Sequence, residues 1–435
     1  MTRKPITAFQ KPTADQGKVM VKSKRNAKPP MLEGGTATTA SHSTAAIVTP
    51  TSVAKSARRR VSTVDPTVAE AAVTRSSTTE RPPALLFRSG YTHEEAVKSK
   101  GVRKVSHQTS EALWYAGPGR AEIRPELLAE PGPGEVQVRA LHSGISRGTE
   151  RLVLAGQIPP SEFQRMRAPF MAGAFPFPVK YGYSAVGLVE RGPDELEGRV
   201  AFALHPHQSL FNVPADAVAL IPNSVPAARA VLAANMETAL NAVWDAQPAP
   251  ADRIAVVGAG VVGALVAWLC AQMPGAQVTL VDIESSRSEL ARGLGVGFAA
   301  PEAAPGDCDL VVHASGTSAG LMTALYLAGM EATVLELSWY GTEEVAIPLG
   351  GAFHSRRLKL ISSQVGQVAA SHRSRWTFKR RLDAALEMLA DPRLDALLTP
   401  PIKFQDLPSR LPDILEPRSG VLCQLVSYPA ADASG

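Results

Sequence analysis

Residues 254–273 read IAVVGAGVVGALVAWLCAQM, twenty residues without a charged side chain, and length alone would let such a run cross a bilayer. The glycines argue otherwise. Gly258, Gly260 and Gly263 stand in the spacing G-x-G-x-x-G, behind a short β-branched run from Ile254 to Gly258. After them come Ala264, Leu265, Trp268 and Leu269 at helical spacing, and Pro274-Gly275 stops the pattern. The stretch therefore predicts strand, tight turn and helix. It lacks charge because a strand and helix in the middle of a parallel sheet are covered on both sides.

The turn carries chemistry. Its first glycine permits the tight bend, its second lets the backbone approach a pyrophosphate, and its third lets helix and strand pack closely, while the helix N-terminus offers N–H donors. The next segment, AQVTLVDI, predicts a second strand ending at Asp282, nineteen residues beyond Gly263, where a carboxylate accepts hydrogen bonds from the adenosine ribose and repels a 2′-phosphate. NAD(H) is the cofactor this predicts, with Arg287 five residues on as a group that would soften the preference over NADP(H). Further strands are expected in CDLVVHASG (308–316), EATVLELSW (331–339) and LKLISSQ (358–364), separated by segments long enough for crossover helices.

Charge divides the chain unevenly. Residues 1–110 hold 19 Lys+Arg against 7 Asp+Glu, and the remainder 26 against 33. Rich in Ser, Thr, Pro and Ala and without apolar periodicity, residues 1–110 read as a disordered basic arm. No aromatic residues interleave with its RRR at 58–60, so a solvated tail is expected rather than a nucleic-acid module. Its first 64 residues carry 12 Lys+Arg but only Asp15 and Glu33, a balance also compatible with a transit peptide or with translation from an upstream start codon. There is no continuous apolar core of a secretory signal, and a cytoplasmic protein is expected. The three cysteines, Cys270, Cys308 and Cys423, are too few and too far apart for a disulfide framework or a four-Cys zinc lobe.

From about residue 111 the chain turns β-rich. PGPGEVQVRALHSGIS (131–146), SAVGLVERG, GRVAFAL and SLFNVPADAVALIP read as short strands between Gly and Pro, an irregular β-barrel. The PGPGEVxV, HSGIS and GYSAVGLV segments, with the glycine-rich unit about seventy residues later, resemble the medium-chain dehydrogenase/reductase superfamily over roughly residues 111–428. SGISRGTE resembles the branch that includes bacteriochlorophyllide dehydrogenases. The resemblance implies an α/β fold in which a GroES-like β-barrel catalytic domain (111–236) precedes a Rossmann doubly wound parallel sheet (237–366). A return segment (367–428) completes the barrel, and 429–435 is a tail.

Zinc-dependent members of that superfamily place three ligands where this chain has Ser146, Tyr183 and Ala234, with Glu237 three residues displaced from the last. Hydroxyls protonated at neutral pH are poor zinc ligands, so no catalytic zinc is expected. His205 and His207 form the one H-x-H, and a hydrogen-bonding pair is the simpler reading, since no third ligand has a recognisable spacing. The resemblance then implies hydride transfer between a nicotinamide and an alcohol, carbonyl or activated double bond, with hydroxyl donors settling the substrate oxygen. Tyr183 and Ser146 are the candidates, with Lys180 as a group that would lower the phenol's pKa and Thr149 and Glu150 orienting the shell or binding substrate. Thr238, Ser315 and Gly316 are expected beside the nicotinamide. The expected partner is a small-molecule substrate, with no membrane and no nucleic acid, and a homodimer is left open. The alternative is a non-catalytic nucleotide-binding module with a basic interaction arm.

Overall fold

The computed structural model describes residues 108–429, so the arm expected at 1–110, apart from its last three residues, and all but the first residue of the 429–435 tail lie outside the described residues. The apolar stretch at 254–273 resolves into the strand Arg253–Val257, a glycine turn and the helix Val261–Ala271. Among the described residues no helix is long and apolar enough to cross a membrane.

That strand is central in a six-stranded sheet with Gln277–Val281, Gly297–Ala299, Cys308–His313, Ala328–Glu336 and Lys359–Ser362. Every neighbouring pair is parallel, and the spatial order is third, second, first, fourth, fifth, sixth. The winding reverses between the first and fourth strands, which opens a crevice at their carboxyl ends. Ile254, Val256, Leu265, Leu280 and Val312 are wholly buried in the surrounding core, each contributing about 1.5–3 kcal/mol on burial. The helix Ala233–Ala246 lies against Val261–Ala271 and leads into this sheet.

The second body is antiparallel for the most part. Its long strand Glu135–Ile145 pairs with Ala185–Arg191, Leu210–Pro214 and Cys423–Ser427, so the C-terminal strand returns to the domain in which the chain began. A hairpin of Gln108–Gly117 and Arg120–Leu128 adds a small sheet. Its first strand starts at Gln108, three residues inside the segment read as arm. These residues are polar, but Ser110 is fully buried, its hydroxyl donating to the Leu210 carbonyl at 2.6 Å. The helix Phe378–Met388 closes against Ala233–Ala246 through a buried ion pair, Arg381 Nε to Glu237 Oε1 at 2.9 Å.

Candidate active site

The glycine turn has the shape its spacing predicts. Gly258 has φ +107°, a conformation that disfavours any side chain, and a Cβ there would meet the Ser315 nitrogen at 2.6 Å. A Cβ on Gly263 would lie 2.0 Å from the Gly258 carbonyl oxygen. Around Gly260, which caps the helix, a Cβ would meet nothing within 4 Å. Two glycines are thus required by the protein's own atoms, and the middle one faces open space over a helix N-terminus whose first turn contains Val262. Asp282 follows the second strand, and its Oδ2 accepts the Ala259 N–H at 2.7 Å while Oδ1 accepts that of Glu284 at 2.9 Å. The carboxylate is held beside the turn. Arg287 reaches the Gly420 carbonyl at 3.0 Å rather than Asp282.

The barrel carries a group of hydroxyls of its own. Ser146 precedes the helix Arg147–Ala155, and the Ser146 and Thr149 hydroxyls act on the Tyr183 phenol, favouring its ionised form. Burial pushes the phenol's pKa up to about 12, against the effect of those hydroxyls, so Tyr183 remains a protonated donor at neutral pH. Asn235, which the sequence reading missed, reaches the Ser146 oxygen at 3.4 Å from the helix Ala233–Ala246. Thr238, on the same helix, donates to the Ala234 carbonyl at 2.9 Å.

Glu150 is the hub behind this shell. It is fully buried and accepts the Tyr115 hydroxyl at 2.5 Å, the Ser146 N–H at 2.7 Å and His207 Nε2 at 3.0 Å. The other nitrogen of His207 meets the Ser143 hydroxyl at 2.8 Å, which meets Tyr428 at 3.0 Å. Three donors converge on one wholly buried carboxyl group, so Glu150 holds the Ser146 backbone in place from behind. His205, by contrast, is stacked on Phe211 with ring centroids 3.8 Å apart, and burial lowers its pKa to about 3. The H-x-H pair is therefore split between an aromatic stack and the Glu150 network.

One expectation needs correction. Lys180 does not act on Tyr183: its ammonium donates to Glu126 at 2.8 Å and Gln208 at 2.9 Å, and the phenol's pKa is raised, not lowered. Glu237 is not a free ligand, because Arg381 holds it in the core. Cys423 lies near Tyr183, but burial pushes its thiol up to about 12, where it is a poor metal ligand. Among the described residues no three His, Cys, Asp or Glu side chains converge. The donors at the three ligand positions, Ser146, Tyr183 and Ala234, do not fit zinc.

The sequence reading also passed over a polar cluster at the carboxyl ends of the fourth and fifth strands. His313 and Glu336 end those strands in register, and His313 Nδ1 meets Glu336 Oε2 at 2.7 Å. His313 Nε2 meets the Ser315 hydroxyl at 2.7 Å, and Ser315 is the residue against Gly258. The neighbouring Gly316 N–H donates to Ser338 Oγ at 3.0 Å. The segment after Glu336 crosses to the barrel: Trp339 packs in the apolar cluster that Tyr183 borders, and Gly341 sits so close to Gln157 that a Cβ would lie 2.3 Å from its carbonyl oxygen. The segment after Glu336 thus joins the strand ends to the barrel body that carries Tyr183.

No family model matches the chain. An uncharacterized zinc-type alcohol dehydrogenase-like protein of Haemophilus influenzae is 27% identical over 48% of this chain and 60% of its own length. The 2-desacetyl-2-hydroxyethyl bacteriochlorophyllide A dehydrogenase of Cereibacter sphaeroides is 39% identical over 19% of this chain and 23% of its own. The chain thus matches less than two thirds of the length of either. A zinc-binding dehydrogenase of Sinorhizobium meliloti, solved with NADP, superposes with a TM-score of 0.60 at 19% identity, over 74% of this chain and 99% of that one. An alcohol dehydrogenase of Escherichia coli CFT073, complexed with NADH, gives 0.59 at 16% identity over 74% and 99%.

Proposed function

From a chain with the medium-chain dehydrogenase/reductase fold and alcohol dehydrogenase-like relatives, we propose an NAD(H)-dependent oxidoreductase that acts on an alcohol/carbonyl pair or an activated double bond without a catalytic zinc. The observation that carries this reading is the glycine turn: Gly258 and Gly263 are packed against the protein itself, while the space over Gly260 is open at the N-terminus of an eleven-residue helix. That space suits a pyrophosphate. A nicotinamide dinucleotide bound there would supply the hydride acceptor or donor.

The chain's own residues do the rest. Asp282 favours a free ribose over a 2′-phosphate; the neighbouring folds bind either dinucleotide, so the preference rests on this carboxylate. Tyr183, kept protonated, donates to the substrate oxygen where negative charge develops, and Ser146 and Thr149 fix its direction. Glu150 fixes Ser146 in turn. A small-molecule substrate and a cytoplasmic setting accompany this reading, with the barrel starting from the strand at Gln108 and running to 236, 237–366 as the nucleotide domain and 367–428 as the return segment.

Titration with NADH and NADPH by fluorescence, followed by a screen of carbonyl compounds, quinones and alcohols at the nicotinamide absorbance, tests it. NADH should bind more tightly, and Tyr183→Phe should lower kcat much more than it weakens NADH. Chelator should leave turnover unchanged, with well under one zinc per chain by elemental analysis. Tight NADH binding with no turnover of any compound would favour the non-catalytic module instead.

A further inference from the structure

Oxidation of an alcohol without a metal needs a group that takes the hydroxyl proton, and the hydroxyl shell on the barrel does not contain one. Tyr183 is a protonated donor whose pKa lies far above neutral. His207 has both ring nitrogens engaged inside the protein, by Glu150 and Ser143, and is wholly buried. The cluster at the strand ends is built differently. Glu336 is lowered in pKa by its bonds to His313 and Ser338, despite burial, and so acts as an ionised acceptor. It receives the Ser338 N–H at 2.7 Å and the Tyr340 hydroxyl at 3.0 Å as well as His313 Nδ1. An ionised carboxylate can only accept, so Nδ1 carries the hydrogen and Nε2 presents its lone pair to the Ser315 hydroxyl.

Ser315 therefore gives its hydrogen to His313, and its oxygen accepts the Thr317 hydroxyl at 3.0 Å on one lone pair and keeps the second. It is only partly buried, while His313 behind it is fully buried. The first turn of the helix Ser318–Leu327 closes on the pair: a Cβ at Gly320 would lie 2.0 Å from Ser315 Oγ and 2.7 Å from His313 Nε2. This is the arrangement of a hydroxyl with a base oriented by a third group, placed on the first glycine of the nucleotide turn.

We propose that Ser315, His313 and Glu336 form the proton relay of the site, with the substrate alcohol's hydroxyl as the donor. The proton of the alcohol passes to Ser315 Oγ as the Ser315 proton passes to His313 Nε2. The hydride, with its electron pair, leaves the carbinol carbon for the nicotinamide-type acceptor, and the carbon–oxygen bond becomes a carbonyl. Ser315 touches the substrate; His313 and Glu336 act through it as positioning residues. The inference rests on the dehydrogenase reading above.

A relay beside the nicotinamide predicts a charge effect that needs no substrate. Imidazolium at His313 repels the cationic ring of NAD+ but not the neutral ring of NADH. The titratable groups against the imidazole are Glu336 and Tyr340, beside the Ser315 and Ser338 hydroxyls, and the helix brings only Gly320 to it. Binding of NAD+ and of NADH is measured by calorimetry between about pH 8 and pH 5. NAD+ affinity should fall roughly tenfold or more toward acid while NADH changes little. His313→Gln should abolish the difference, and Glu336→Gln, which removes the charge that steadies imidazolium, should move its midpoint to lower pH. Circular dichroism checks that each variant folds. Parallel behaviour of the two nucleotides in the folded wild type, or a difference that survives in His313→Gln, overturns the relay and leaves the dehydrogenase reading standing. Failure of both nucleotides to bind at any pH overturns both.

Discussion

Replacing Gly260 by alanine separates what the fold needs from what the ligand needs. Gly260 has φ −74° and ψ −180°, an extended conformation open to any residue, and an added Cβ meets no atom within 4 Å. Alanine stiffens the unfolded chain, which favours folding by about 0.4–1 kcal/mol. It is also a poorer helix cap than glycine, which costs a similar amount. The free protein should therefore melt within a few degrees of the wild type. A pyrophosphate brought against the backbone would meet the new methyl group, and overpacking of that kind costs about 1–3 kcal/mol, roughly a 5- to 150-fold loss of NADH affinity. Gly263→Ala is the control, because its Cβ would stand 2.0 Å from the Gly258 oxygen and must move backbone, so it should lower the melting temperature without ligand present. The assay is a thermal melt beside an NADH fluorescence titration for both variants. Unchanged NADH affinity in a well-folded Gly260→Ala would refute the reasoning, since no phosphate could then lie where the open space is.

Three other perturbations test separate parts of the structure. Asp282→Asn should cut NADH affinity by about 1.5–3 kcal/mol and narrow the gap to NADPH, as calorimetry with both nucleotides would read. Glu237→Ala leaves the Arg381 guanidinium, 1% exposed, without its carboxylate, and urea unfolding should show a loss of about 3–5 kcal/mol; Arg381 with Glu237 intact fixes the reference. His205 is depressed to about 3 by burial, so the unfolded chain takes up its proton first, and the stability present above about pH 6.5 is lost as pH falls toward 3. At pH 5 that loss is about 2 kcal/mol, and His205→Phe, which keeps the stack on Phe211, should flatten this part of the stability curve in denaturant titrations at each pH.

The nucleotide half of the fold was legible because its signals are local. Three glycines at fixed offsets, a strand before them and an acid nineteen residues later are all read within thirty residues of chain. The relay was not legible, although HASG and LELSW had both been singled out as strand ends. His313 and Glu336 are 23 residues apart, and only the register of two parallel strands sets them side by side. Lys180 failed for the same reason in reverse. It stands three residues from Tyr183 in sequence, yet strand alternation and the pairing of Trp114 with Lys180 send its ammonium to Glu126 on another strand. The start of the first strand was hidden because Gln108, Thr109 and Ser110 are polar, and burial of Ser110 depends on a partner a hundred residues away.

The missing metal ligands and the buried carboxylate belong to one account. A zinc at the site would do two things: tie the segments that supply its ligands, and polarise a substrate oxygen. Here Glu150 does the tying, joining the first strand through Tyr115, the helix start through Ser146 and the 205–207 turn through His207. On the proposed reading polarisation falls to neutral hydroxyls, and one such donor is worth about 3–4 kcal/mol to a developing oxyanion. Neutral donors stabilise an oxyanion less than a dication does, so on the proposed reading the site suits substrates whose oxyanion is intrinsically stabilised, such as conjugated or benzylic carbonyls. For such substrates, removal of the proton by a relay such as Ser315–His313–Glu336 matters more than Lewis acidity. Their turnover should therefore follow the protonation state of the relay more closely than the ionic composition of the buffer.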